Sequence, residues 1–146
     1  MKVKRTVVRN EQGMSLVEIL IVMTLIAVAG SFVATQVLDR MQEGYQKAAQ
    51  TQMNGMKQML EDYRRYCNVY PSTEQGLDAL VAKPTTAPEC TNYPASAFIA
   101  DGKVPKDPWG NSYDYKADGK SYVITCYGRD GKEAGEGYDK DLHSND

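Results

Sequence analysis

MSLVEILIVMTLIAVAGSFVA, residues 14–34, carries a single charge, at Glu18. About twenty apolar residues rising about 1.5 Å each are enough to cross a bilayer core. A cleaved secretory signal would need a small-residue site after the run; Ala27, Ala29, Gly30 and Ser31 could supply one. Two features favour retention: the run exceeds a usual signal core, and helical patterning continues past it. Val37, Leu38, Met41, Tyr45, Ala48, Ala49, Met53, Met56, Leu60 and Tyr63 recur mostly three or four apart, with Asp39, Arg40, Glu43, Lys47, Lys57 and Glu61 largely between them. That pattern is an amphipathic helix with one stripe to bury. No proline interrupts residues 14–70, so the spacing predicts one helix of roughly fifty residues, its first half apolar all round. That half needs lipid, or further copies of itself, to cover it.

Upstream, residues 1–13 hold Lys2, Lys4, Arg5 and Arg9 against Glu11, a balance of +3. This leaves 13 of the 17 bases against 18 of the 19 acids, a balance of −5 for the remainder. A basic segment before an apolar run fits cytoplasmic retention of that end. An acidic body argues against nucleic acid as a partner, because phosphate binding wants a basic face.

A carboxylate inside an apolar helix is costly and by default functional. If the chain is cut after Gly13, Met14 gains a free amine one helical turn from Glu18. In an assembly of copies, that amine could neutralise Glu18 of a neighbour, removing two desolvated charges and fixing register. The competing reading is an incidental charge near a membrane interface.

The second half changes pattern. Residues 71–75 open a short helix, with Ser72 and Gln75 at capping-box spacing and Leu77, Leu80 and Val81 as its apolar face. Residues 84–94 read as loop. A hairpin follows: 112–116 alternates with Tyr113 and Tyr115 on one side, 117–120 supplies turn chemistry, and 121–127 is strongly β-prone. A small antiparallel sheet packed on the wet half of the long helix buries both, an α+β architecture. Trp109 is expected in the core at that junction. The chain therefore divides into residues 1–13, the apolar 14–34, and a globular 35–146.

Cys67, Cys90 and Cys126 form no CxxC, and His143 is the one histidine, so zinc has weak support. If the body lies outside the cytoplasm, one disulfide is expected. Cys67 with Cys90 closes the shorter loop; Cys67 with Cys126 competes closely, as does a reading with three buried thiols. No Ser or Cys nucleophile motif and no phosphate-binding glycine loop is present, which argues against an enzyme. Residues 128–141 hold four glycines and five acids, and carboxylates with turned-back carbonyls are the donors calcium takes.

Gly13-Met14-Ser15-Leu16-Val17-Glu18-Ile19 resembles the type IV prepilin cleavage motif. The resemblance implies a pilin-like fold, removal of the basic leader after Gly13 by a prepilin peptidase, methylation of the Met14 amine, and Glu18 as the assembly residue. Met14 departs from the commoner phenylalanine. YPSTEQGLDAL (70–80), VPKDPWGNSYDY (104–115) and YGRDGKEAGEGYDKDL (127–142) are similar to the major pseudopilin of type II secretion. This likeness implies a homopolymeric fibre joined by minor pseudopilins. An inner-membrane platform with a separate ATPase would assemble it, and the body would lie in the periplasm. It also implies calcium in the C-terminal loop, through Asp130 and the Tyr127 carbonyl. The second carboxylate of some members falls on Gly137 here, which leaves Glu136, Asp139 or Asp141 for that role. An adhesive or motility pilin is the alternative within the same superfamily, but such pilins usually close this loop with a disulfide, and no cysteine follows Cys126.

Overall fold

The computed structural model describes residues 13–145; all but Gly13 of the expected leader lies outside them. The chain divides into two compact units, Met1–Asp39 and Arg40–Asp146. Helix α1, Leu16–Cys67, spans 52 residues, the unbroken helix the spacing predicts. Ser15 opens it, its carbonyl accepting the Ile19 N–H at 3.1 Å. It ends at Asn68, which takes the left-handed conformation (φ 64°) and returns its N–H to the Arg64 carbonyl at 2.7 Å. Asparagine tolerates that cap, and Arg64 and Arg65 complement the negative helix end.

Within the second unit, α1 buries Ala49, Met53, Met56, Leu60, Tyr63 and Cys67, a three-to-four spacing. Here the expected stripe is too long: Val37, Leu38 and Met41 are 51%, 60% and 47% exposed, and Ala48 is exposed. The apolar side chains of α1 that the second unit buries begin at Ala49; before that point its loops meet the helix through the half-buried Gln42, Tyr45 and Gln46.

Strands β1 (Asp114–Ala117), β2 (Tyr122–Cys126) and β3 (Leu142–His143) form an antiparallel sheet in the order β1-β2-β3. Asp114 pairs with Thr125 and Ala117 with Tyr122. The register is set by a two-residue turn: the Asp118 N–H donates to the Ser121 carbonyl, and Gly119 supplies the positive φ. Tyr113 and Tyr115 share the buried face, with Ile124 behind them. β3 was not foreseen. Two residues give no alternation to read, and β3 is held by Ser144, whose N–H donates to the Ile124 carbonyl and whose Oγ accepts the Ile124 N–H.

The expected short helix after Pro71 is instead a turn and a 3-10 segment, Leu77–Leu80. Gly76 at φ +59° breaks the α pattern, yet the capping pair forms. The Gln75 N–H donates to Ser72 Oγ (3.2 Å), and the Ser72 N–H donates to Gln75 Oε1 (3.0 Å). Gln75, 7% exposed, also donates to the carbonyls of Thr86 and Pro88, which fastens the proline-rich loop. Cys90 in that loop is disulfide-bonded to Cys67.

Candidate functional site

In the first unit, the described residues around Glu18 present an apolar helix to their surroundings. Leu16, Val17, Ile19, Leu20, Ile21 and Val22 are all exposed by 45% or more. Part of α1 is long and apolar enough to cross a membrane, and none of that window is buried. Gly13 and Glu18 are exposed, and Met14 is 69% exposed. Glu18 lies in the first turn, where the positive end of the helix dipole favours a carboxylate. The arrangement offers one anionic group, four residues from Met14, on a surface that otherwise seeks lipid or apolar protein.

In the second unit, the glycine-rich loop of residues 128–141 is built on close backbone approaches. A Cβ on Gly128 (φ +65°) would lie 2.8 Å from the Asp139 carbonyl carbon, and one on Gly135 would overlap the Asp139 carbonyl oxygen. The Arg129 N–H donates to the Tyr138 carbonyl. Its guanidinium clasps Asp139 through two bonds, Nε to Oδ1 at 2.9 Å and Nη2 to Oδ2 at 3.1 Å, the bidentate geometry that suits arginine.

Each of the calcium residues expected from the sequence has its own surroundings on this scaffold. Tyr127 donates its hydroxyl to Asp114 Oδ2 at 2.9 Å, which with burial pushes its pKa up to about 12. Asp130 Oδ1 accepts the Lys132 N–H. Glu136 is exposed, and Asp139 is taken by Arg129. Asp141 accepts the Ala134 N–H on Oδ2, while its Oδ1 is buried with no hydrogen-bond partner. Among the described residues, no three His, Cys, Asp or Glu side chains cluster to hold a metal. The donors are all oxygen, and a buried carboxylate oxygen without a partner is costly; both features fit a hard cation that also draws on backbone carbonyls.

Asp107 was missed in the sequence. It is 5% exposed and carries a three-donor load: Oδ1 accepts the N–H groups of Trp109 (3.1 Å) and Asn111 (2.7 Å), and Oδ2 accepts Cys126 Sγ–H (3.4 Å). Burial holds the Cys126 thiol protonated, its pKa pushed up to about 11. Asn111 passes this order on by donating to the Gly128 carbonyl and packing beneath Gly131. An acid two residues before a tryptophan in a glycine turn was the available signal. Trp109, expected in the core, is half-buried, edge-on to Tyr45 with its indole N–H donating to Gln42.

Comparison with known proteins places this architecture. Residues 36–145 match the family model for type II secretion system protein G, and residues 8–34 match the prokaryotic N-terminal methylation motif. Type II secretion system core protein G of Vibrio cholerae is 38% identical over 136 residues, 92% of this chain and 91% of its own. The Pseudomonas aeruginosa protein of the same name is 35% identical over 92% of this chain and 94% of its own. The crystal structure of the major pseudopilin from the type 2 secretion system of enterohaemorrhagic Escherichia coli matches with a TM-score of 0.62. It is 31% identical, over 73% of this chain and 90% of that one. The chain belongs to the type II secretion system protein G family.

Proposed function

We propose that this chain is the major structural subunit of a type II secretion pseudopilus, anchored in the inner membrane before assembly with its second unit in the periplasm. The observation that carries this is an apolar helix surface with one carboxylate, left uncovered by the described residues of the chain. A prepilin peptidase removes the leader after Gly13 and methylates Met14. Subunits then leave lipid and pack helix to helix, each Glu18 meeting the Met14 amine of a neighbour. Minor pseudopilins and an inner-membrane platform with its own ATPase complete the system, which exports folded proteins across the outer membrane. The role is structural.

Calcium is proposed for the C-terminal loop, held by Asp130, the Tyr127 carbonyl and, as second carboxylate, Asp141. The orphaned Oδ1 favours Asp141 over the arginine-bound Asp139 and the exposed Glu136. The ion would supply a fixed positive charge that joins loop segments lacking a core of their own.

The deciding test is Glu18→Ala in cells that assemble the system. The variant should insert and be cleaved normally, yet yield no fibres by shearing or microscopy. Fibres at the normal yield would remove the assigned role.

A further inference from the structure

We infer that Gln42 and Gln46 are positioning residues for assembly: a two-point polar latch that fastens two separate loops to the start of the second unit's helix. The inference rests on the assembly reading above. Gln42, Tyr45 and Gln46 stand at i, i+3 and i+4, hence on one face of α1. Gln42 Oε1 accepts the Trp109 indole N–H at 2.9 Å. Gln46 Nε2 donates to the Gly137 carbonyl at 3.1 Å. Tyr45 sits edge-on to the Trp109 ring, centroids 5.9 Å apart.

The two contacts have opposite polarity, which fixes each amide's orientation: an indole demands an acceptor, a carbonyl demands a donor. They also grip the loops at complementary points. Trp109 belongs to the turn organised by buried Asp107, which reaches Gly128 through Asn111. Gly137 lies within the glycine-rich stretch that the Arg129–Asp139 clasp closes. Among the described residues, burial of α1 side chains begins at Ala49, so none of the apolar side chains described before that point is buried to do this work. A loop ordered before assembly spares the polymer the entropy of ordering it on contact. The latch is made of protein groups alone and therefore acts with or without calcium.

Polarity gives the test. The full chain in detergent, with EDTA, is followed by hydrogen exchange over residues 128–141, and fibre yield is measured in cells. Gln42→Glu keeps an acceptor and Gln46→Lys keeps a donor; both should retain loop protection and fibres. Gln42→Lys and Gln46→Glu reverse the polarity, and should speed exchange of the loop roughly fivefold and lower fibre yield. Equal exchange in all four variants and wild type would overturn the latch. Equal loss in all four would reduce it to packing and overturn it also. A loosened loop with undiminished fibres would overturn its role in assembly. Failure of the wild type to polymerise would count against the proposed function, while exchange would still read the latch.

Discussion

Replacing both Cys67 and Cys90 by serine removes a cross-link between residues 23 apart in sequence. The loop-closure entropy of that length corresponds to about 3.4 kcal/mol of stability. Both positions are buried, at 8% and 0% exposure, so lost packing adds to the effect. A domain of this size has a guanidinium slope of about 4 kcal/mol per molar, so the midpoint should fall by about 0.8 M. Trp109 is a local reporter, because its ring leans on Tyr45 and its fluorescence should follow separation from α1. The assay is guanidinium unfolding of the mature chain in detergent, wild type against double variant. Free-thiol counting runs alongside: the wild type should show one thiol, Cys126, reactive only once denatured because it is buried in the fold. A midpoint unchanged within about 0.2 M, or three free thiols in the wild type, would refute the reasoning.

Alkaline pH should destabilise the second unit. Burial raises Cys126 from 9.0 to about 11 and Tyr122 from 10.0 to about 12, and it raises Tyr113 and Tyr115 further. The unfolded chain releases these protons first, so stability is intact below pH 9 and falls as pH climbs to 12; Cys126 alone accounts for up to about 3 kcal/mol. Flat stability between pH 9 and 11.5, by thermal melts, would contradict this. Gly135→Ala should cost about 1–3 kcal/mol by driving a methyl into the Asp139 carbonyl, measured as a lower melting temperature. Adding calcium should raise the melting temperature of the wild type, and neither Asp130→Ala nor Asp141→Ala should share that rise; an identical shift in either variant would place the ion elsewhere.

The long helix was legible because its signal is cumulative: fifty residues without proline, then a stripe carried by Ala49, Met53, Met56, Leu60 and Tyr63. The hairpin was legible because Asp118-Gly119 supplies turn chemistry between tyrosine-rich strands. What escaped depends on contacts distant in sequence. Lys57 donates to the Ser144 carbonyl at 2.6 Å, 87 residues away, and β3 exists through Ser144 and Ile124. Local propensity carries none of this. The capping pair Ser72–Gln75 was read correctly, but the glycine beside it turned a helix into a 3-10 segment. Asp107 is distinguished by its burial and three donors, which come from the tertiary fold.

Intact mass with N-terminal sequencing of the protein recovered from membranes tests the central proposal most directly. The account predicts a chain that starts at a methylated Met14 and keeps the whole apolar segment with Glu18. A product that starts beyond residue 30 and runs as a free monomer would contradict it.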